Sequence, residues 1–252
     1  RKIDGEPERP IVVTALDPDD PPEIVGALRI HDSDHLTLSH LQFVASVDRL
    51  PALAVQCGVG WEVRDSTIRG ASDSAAMSNL NISGYQEAPP PPQDPATCPD
   101  EPRDFKVIGN CFRDPYTDPE LEDHPDPALR RTRGFYHNIY VSFEGSDATG
   151  GLIEGNRIQG SLNGAGIKLG NGATHERGPR NVTVKGNAFV DVRNLVVLSE
   201  DVRDNEITGN LGIDVVGPTN AGDDVGVYVS RVREASNVVA DNTLWGARWM
   251  IR

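Results

Sequence analysis

The chain has 252 residues, with 38 acidic and 24 basic side chains and a formal net charge of −14 at pH 7. This balance disfavours a nucleic acid as partner and gives no general attraction to an anionic membrane. No apolar run has the length of a transmembrane helix, so we expect no membrane insertion.

The first predicted strand covers residues 11–15 and is followed by a loop rich in Asp and Pro. From there a four-residue pattern recurs: an apolar residue, any residue, another apolar residue, and a small or polar residue. Its period of two is typical of a strand with one buried face. The copies occupy residues 28–31, 53–56, 75–78, 139–142, 167–170, 196–199 and 227–230.

A second pattern alternates strictly with the first and reads apolar, any, Gly or Asp, Asn, any, apolar. Gly-Asn and Asp-Asn tolerate the positive φ of a tight bend, which lets both apolar residues face one core. The copies at 107–112, 153–158, 184–189, 202–207 and 239–244 contain Asn110, Asn156, Asn187, Asn205 and Asn242. Degraded copies occupy residues 38–43 and 63–68. We expect the five asparagines to line up along one axis.

This alternation predicts a stack of coils with three short strands each. It resembles the right-handed parallel β-helix of the pectate-lyase-like superfamily, including the asparagine ladder at its tight turn. The resemblance implies an all-β, single-stranded solenoid of about seven to eight coils, which forms one domain over residues 1–252. It is specific for architecture, because this fold carries lyases, hydrolases, epimerases, phage spikes and adhesins.

Two long proline-rich segments interrupt the third and fourth coils, and we assign them to inserted loops at residues 79–104 and 113–133. Loops of this length in a compact domain are usually functional or disordered, and proline stiffens them. Both adjoin strands of the first pattern, so we expect them to wall a groove on the sheet that these strands form. In the resembled superfamily a polysaccharide lies on this sheet, which implies a polysaccharide as partner.

Alternation along these strands predicts two outward columns of side chains on the groove floor. One column contains Arg29, Ala54, Ala76, Tyr140, Lys168, Val197 and Tyr228, and the other contains His31, Gln56, Ser78, Ser142, Gly170, Ser199 and Ser230. Neighbouring coils are about 4.8 Å apart, so Tyr140 and Lys168 should be direct neighbours. A cation flanked by aromatic and hydroxyl groups suits a sugar polymer that carries carboxylates. The predicted substrate-binding residues are Arg29, His31, Gln56 and Tyr228.

The chemistry that fits this floor is β-elimination on an acidic, uronate-containing glycan, as in a polysaccharide lyase. It needs a base for the proton α to the carboxylate, a positive charge for the enolate-like state, and an acid for the leaving oxygen. Lys168 would neutralise or abstract, Tyr140 would donate a proton, and Arg133 would hold a carboxylate by its planar fork. His137 completes the predicted catalytic set. Each of these residues also has a plain structural interpretation, as a solvated or strand-forming side chain.

Two other functions remain open from the sequence. A polysaccharide hydrolase needs two carboxylates facing each other across the bond. The candidates Glu144, Glu154, Glu200 and Asp201 would serve only if they lean inward. A non-catalytic β-helix would instead bind glycan or build a surface or spike assembly.

Metal ions and cysteines give weaker indications. Oxygen ligands in the run His31-Asp32-Ser33-Asp34-His35, or at Asp223-Asp224, could hold Ca²⁺, but we expect a solvated acidic turn and assign no metal site. We expect Cys57 in the core column. The pair Cys98 and Cys111 is the candidate disulfide, which would imply an oxidising, extracellular or periplasmic location, although no signal peptide is present in this chain.

Overall fold

A computed structural model describes residues 4–46, 50–70, 78–83, 102–113, 137–142, 150–161, 164–170, 178–199, 202–215, 225–230, 232, 236–246 and 249–251. Regular structure in these residues is entirely β. Those ranges contain no helix, and so no helix that could span a membrane is found in them.

Every third strand joins the same parallel sheet, so the chain passes through three sheets in turn. Sheet A contains β1 (Ile11–Thr14), β4 (Leu36–Ser39), β7 (Glu62–Arg64), β10 (Phe105–Ile108), β13 (Gly151–Glu154), β16 (Val182–Lys185), β19 (Glu206–Thr208) and β22 (Val238–Ala240). Sheet B contains β2 (Glu23–Val25), β5 (Gln42–Ala45), β8 (Thr67–Gly70), β11 (Cys111–Arg113), β14 (Arg157–Gln159), β17 (Ala188–Val190), β20 (Leu211–Ile213) and β23 (Thr243–Trp245). Sheet C contains β3 (Leu28–His31), β6 (Leu53–Gln56), β9 (Ser78–Ser83), β12 (His137–Ser142), β15 (Ala165–Leu169), β18 (Asn194–Ser199), β21 (Val225–Ser230) and β24 (Trp249–Ile251). This is a right-handed parallel β-helix, and the predicted fold is confirmed.

The core is a narrow column of apolar side chains that stack in register from coil to coil. In sheet B, Phe43 pairs with Ile68 and Ile68 with Phe112, and all three side chains are fully buried. Trp61 and Phe105 stack within the column, with ring centroids 5.3 Å apart. Because each coil contributes only a few inward residues, a chain with 37% hydrophobic residues can still fill this core.

A tight turn between sheets A and B recurs in seven coils. The residue before each corner position has a positive φ, at His40, Asp65, Gly109, Gly155, Gly186, Gly209 and Asp241. The corner position holds Leu41 in the first of these coils. In the other six it holds Ser66, Asn110, Asn156, Asn187, Asn210 or Asn242, which form a continuous ladder of hydrogen bonds. For example, the backbone N–H and Nδ2 of Asn156 both donate to Oδ1 of Asn187, at 3.0 and 2.9 Å.

The prediction that Asn205 is one of the five asparagines of this ladder is wrong. Its backbone N–H and Nδ2 donate to Oδ1 of Asn237, in a separate turn that leads into sheet A. Asp204 before it also has a positive φ, so this second turn has the same local signature as the tight turn. The rung belongs to Asn210, whose pattern ends in Gly212 rather than in an apolar residue. The space beside Gly212 is taken by Leu195, Val215 and Leu244.

The third coil also differs from the prediction. Its strand in sheet C is β9, in which Leu80 pairs with Leu53 and Ile82 with Val55. Outward positions therefore hold Asn81 and Ser83, whereas we had predicted Ala76 and Ser78. Residues 79–83, assigned to the first inserted loop, are strand, as is Arg113 at the start of the second. The remaining loop residues lie outside the described ranges, apart from residues 102–104.

The predicted disulfide between Cys98 and Cys111 is wrong, because Cys111 is a free, half-buried thiol on β11. Cys57 is disulfide-bonded instead, and its side chain is fully buried as predicted. Cys98 lies outside the described residues. The sequence spacing had favoured the pair closest along the chain, whereas bonding depends on which coils are adjacent.

Candidate functional site

A cleft of about 240 Å³ lies on sheet C, in the second half of the solenoid. Its described walls come from β12, β15, β18 and β21, and from Gly164 and Arg193 just before two of these strands. Parallel pairing sets Tyr140 beside Lys168, Lys168 beside Val197, and Val197 beside Tyr228. Four consecutive coils thus build one site from side chains that are far apart in sequence.

Lys168 and Tyr140 are direct neighbours, as the predicted register required. The Nζ atom of Lys168 lies 4.9 Å from the centroid of the Tyr140 ring, within the range of a cation–π interaction. The Tyr140 ring also lies 5.7 Å from the ring of His137, at an angle of 50°. A cation, a phenol and an imidazole therefore meet at one end of the cleft.

His137 is buried, and its ring is held in one orientation. The backbone N–H of Ala165 donates to Nδ1 at 2.9 Å, so the neutral ring carries its proton on Nε2. Nε2 is buried and has no hydrogen-bond partner within the described part of the chain. Burial, together with the nearby charge of Lys168, lowers the pKa of His137 from 6.5 to about 3. At neutral pH His137 is thus an uncharged hydrogen-bond donor on the wall of the cleft.

Ser199 presents a second buried polar atom to the cleft. Its side chain is 6% exposed, and its Oγ has no hydrogen-bond partner among the residues that the structure describes. Gly170, which directly follows β15, packs against it with a φ of 150°, and a Cβ there would overlap Oγ and the backbone carbonyl of Ser199. Only glycine therefore allows the two coils to pack this closely beside the hydroxyl.

The charge of the cleft is opposite to that of the whole chain. Lys168 and Arg193 are both in its wall, and the described lining contains no carboxylate. The chain as a whole carries a net charge of −14. A locally cationic site on an acidic protein favours a ligand that carries negative charge.

The structure brings together part of the predicted site. His137, Lys168 and Tyr228 line the cleft, and Tyr140 adjoins it. The other three predicted binding residues lie on β3 and β6, several coils away, and do not line it: Arg29, His31 and Gln56. Arg133 lies outside the described residues.

Four polar lining residues were missed by the sequence patterns as site residues: Arg193, Asn194, Ser199 and Ser230. The recurring pattern begins at Val196, whereas β18 begins at Asn194, so the strand is two residues longer than predicted. Extending the pattern backwards by two residues would have found Asn194, and Arg193 directly precedes it. Ser199 was in a predicted column, but its unpartnered hydroxyl is visible only in three dimensions.

Some of the carboxylates predicted for a hydrolase, and some of the oxygen ligands predicted for Ca²⁺, are among the described residues. None of these lines the cleft. Glu154 ends β13 in sheet A and pairs with Lys185 at 3.2 Å. Oδ1 of Asp34 accepts a hydrogen bond from the backbone N–H of Val59 at 2.8 Å, which is a turn contact. Within the described ranges no group of three or more His, Cys, Asp or Glu side chains could hold a metal ion. Glu144, Glu200, Asp201, Asp223 and Asp224 lie outside those ranges.

The fold is similar to solved structures of carbohydrate-related proteins at low sequence identity. An alginate lyase from Paenibacillus sp. str. FPU-7 matches with a TM-score of 0.58 and 10% identity, over 100% of this chain and 85% of the lyase. Two mutants of the tailspike protein of E. coli bacteriophage HK620, each in complex with a pentasaccharide, match with TM-scores of 0.51 and 0.50 at 12% identity. The matches cover 89% and 100% of this chain, but only 40% and 50% of the tailspike chains. No family model matches the sequence, and no curated protein matches it. At these identities the comparisons establish the parallel β-helix fold.

Proposed function

We propose that this protein is a carbohydrate-active β-helix that binds an acidic polysaccharide in the cleft on sheet C and cleaves it by β-elimination. The observation that carries the proposal is the contact between Lys168 and Tyr140, beside buried, neutral His137, in a cleft whose described lining contains two cations and no carboxylate. The alginate lyase with the same fold supports it by analogy.

In the proposed reaction the uronate carboxylate binds at the cationic end of the cleft. A base removes the proton from C5, and the electrons of that C–H bond form the double bond between C4 and C5. The bond between C4 and the glycosidic oxygen breaks, its electrons remain on oxygen, and that oxygen receives a proton. The products are one fragment with a new reducing end and a second fragment that begins with a 4,5-unsaturated uronate. Atoms and electrons therefore balance without a redox partner.

Each described residue has a defined role in this scheme. Lys168 has two alternative roles: it neutralises the carboxylate as an ammonium, or it enters as a neutral amine, removes the C5 proton and becomes the ammonium that faces the enolate-like charge. Tyr140 donates the proton to the leaving oxygen. His137 donates a hydrogen bond through Nε2–H. Its ring has a pKa of about 3 and is therefore too weak a base to take up a second proton at neutral pH. Arg193 adds positive charge, and Arg133 stays a prediction from the sequence.

The composition of the cleft favours elimination over hydrolysis. Hydrolysis of a glycosidic bond uses two carboxyl groups on opposite sides of that bond. The described residues that line the cleft supply neither. Elimination needs cations and a proton donor, which are the groups present.

A panel of polysaccharides tests this function directly. We expect the wild-type protein to generate ultraviolet absorbance from unsaturated uronates on at least one member of a panel of polymannuronate, polyguluronate, polygalacturonate, hyaluronan and chondroitin. Lys168→Ala should lower the rate by roughly 10²-fold or more. Lys106→Ala, which removes an exposed lysine on β10 in sheet A, is the matched control and should keep the wild-type rate. Equal rates for the Lys168→Ala variant and the wild type would remove Lys168 from the mechanism.

A second candidate function is glycan binding without catalysis. It is favoured by the unpartnered Nε2 of His137 and Oγ of Ser199, which are binding groups whether or not a bond is cleaved. The tailspike structures with a bound pentasaccharide show the same fold holding a glycan. Binding of an acidic oligosaccharide with no unsaturated product, from any member of the panel, would favour this function.

An extracytoplasmic location is part of the proposal. Its support is the disulfide at Cys57, since disulfides persist mainly in oxidising compartments. Polysaccharide substrates of this kind are also found outside the cell.

A further inference from the structure

The two ends of the cleft differ in the groups that they present. The cationic end contains Lys168, Arg193 and the Nε2–H of His137. The hydroxyl end contains Ser199 and Ser230, whereas Tyr228 is level with Lys168 along the strands, two coils away. Ser199 and Ser230 are register partners on β18 and β21, so their hydroxyl groups are on adjacent coils.

The separation of the two ends exceeds one sugar ring. Leu169 pairs with Leu198, which sets Ser199 two residues further along the strands than Lys168 and one coil away. With a rise of about 3.3 Å per residue and a spacing of about 4.8 Å between coils, the Cα atoms of Lys168 and Ser199 are roughly 8 Å apart. A glycan with one sugar residue at Lys168 can therefore place the next sugar residue beside Ser199.

The hydroxyl end is suited to a neutral sugar. A serine hydroxyl both donates and accepts, and so matches the hydroxyl groups of a neutral pyranose. No described residue that lines this end carries a positive charge, so a carboxylate placed there would lose hydration without gaining a cationic partner. The Oγ of Ser199 is buried and has no partner in the described part of the chain, which indicates that a ligand group completes its hydrogen bonding.

Gly170 allows close packing at this end. It is in the same outward column as Ser142 and Ser199, and any side chain at this position would clash with Oγ and the backbone carbonyl of Ser199. The glycine thus keeps Ser199 in its place in the cleft wall.

We infer that the cleft accepts a heteropolysaccharide in which an acidic sugar residue adjoins a neutral one, in preference to a polymer of uronates alone. The acidic residue binds beside Lys168 and Arg193, and the neutral residue binds beside Ser199 and Ser230. The acidic half of this inference rests on the proposed function, and the neutral half rests on the hydroxyl end.

Calorimetric titration of the full chain with four tetrasaccharides of equal length tests the inference without relying on turnover. The probes are a hyaluronan tetrasaccharide, in which glucuronate alternates with a neutral N-acetylated amino sugar, tetramannuronate, tetragalacturonate, and the neutral, fully N-acetylated chitotetraose. Titrations are brief and cold, and each is checked for unsaturated product. We expect the hyaluronan tetrasaccharide to bind roughly tenfold or more tightly than either homouronate, because it alone satisfies both ends.

Variants assign the preference to the hydroxyl end. The double variant Ser199→Ala/Ser230→Ala should lose most of the preference, by weakening the hyaluronan tetrasaccharide roughly tenfold while leaving the homouronates unchanged. Ser142→Ala is the matched control, since Ser142 is an outward serine of sheet C on β12 that does not line the cleft. Lys168→Met should weaken all three acidic probes.

The outcomes separate this inference from the proposed function. A homouronate that binds as tightly as the alternating tetrasaccharide, or a preference that survives the double serine variant, overturns the inference and leaves the lyase proposal standing. An alternating glycan that binds preferentially, with no unsaturated product, supports the inference and contradicts the lyase. Failure of every acidic probe to bind contradicts both.

Discussion

The tight corner between sheets A and B and the cleft on sheet C both bury polar side chains, but they satisfy them differently. Asn187, 1% exposed, donates from Nδ2 to the carbonyl of Ile153 and to Asn210, and its Oδ1 accepts two hydrogen bonds from Asn156. In the cleft, Nε2 of His137 and Oγ of Ser199 are equally buried but lack partners within the described residues. Because leaving a buried polar group unpaired costs free energy, the ladder stabilises the corner, whereas the unpaired groups of the cleft are those that the proposed glycan would complete.

The largest expected effect is on catalysis, from a pair of tyrosines in one column. Tyr140→Phe keeps the ring beside Lys168 but removes the proposed proton donor, so we expect a loss of about 10²–10⁴ in kcat. Tyr228→Phe, in the same column on β21, should change kcat far less, because Tyr228 is two coils from Lys168. Initial rates from ultraviolet absorbance give both values. Equal losses in the two variants would mean that neither phenol is the specific donor.

The second-largest expected effect is a loss of stability when a substitution breaks the asparagine ladder at the corner. Asn187→Ala leaves the N–H of Asn156 and the carbonyl of Ile153 unpaired in the interior, so the free energy of unfolding should fall by about 3 kcal/mol. Asn242→Ala removes the last rung of the ladder, which is partly exposed, and should cost about 1 kcal/mol. Urea unfolding measures both. A smaller loss at Asn187 than at Asn242 would contradict a cooperative, buried ladder.

The third effect is the pH dependence of stability from His137. The unfolded ring titrates near 6.5 and the folded ring near 3, so in this window the unfolded state binds a proton that the folded state does not. The resulting stability is fully present above pH 6.5 and is lost as the pH falls toward 3, with a slope of up to about 1.4 kcal/mol per pH unit. We expect a loss of about 2 kcal/mol between pH 6.5 and roughly pH 4.5 from this group alone.

His137→Gln isolates this contribution, since an amide oxygen can still accept from the N–H of Ala165 and does not titrate. Unfolding free energies of wild type and variant, measured across this pH range, should therefore converge on acidification. Curves that stay parallel would show that His137 titrates normally in the folded protein.

Local turn chemistry made the architecture predictable from the sequence. A Gly or Asp with positive φ followed by Asn marks the corner in five of the seven coils, and the apolar residues on either side then fix the register. The same chemistry explains the error at Asn205, because the turn into sheet A also uses Asp204 with positive φ. In the third coil residues 75–78 and 80–83 both match the strand pattern, and only pairing with β6 and β12 selects Ser78–Ser83.

The candidate site was predictable only where it follows from register. The neighbourhood of Tyr140 and Lys168 needed nothing more than a correct alignment of two coils. The burial of His137, with its pKa of about 3, depends on the residues around it in space. Likewise, the missing partner of Ser199 is a property of three strands together, and no local pattern in the sequence reports it.

The smallest expected effect compares two buried serines, one from each region. Ser66 is 4% exposed at the corner, where its Oγ accepts from the N–H of Leu41 and donates to the carbonyl of Arg64. Ser199 is 6% exposed in the cleft, with no partner in the described chain. Removing a paired hydroxyl destabilises a protein, whereas removing an unpaired one does not.

The most direct measurement is therefore urea unfolding of Ser66→Ala and Ser199→Ala beside the wild type, without glycan. We expect Ser66→Ala to lose about 1–3 kcal/mol, and Ser199→Ala to stay within about 0.5 kcal/mol of the wild type or to gain slightly. An equal loss in both variants would show that the Ser199 hydroxyl belongs to the architecture, and would contradict a cleft whose unpaired groups are completed by a bound sugar.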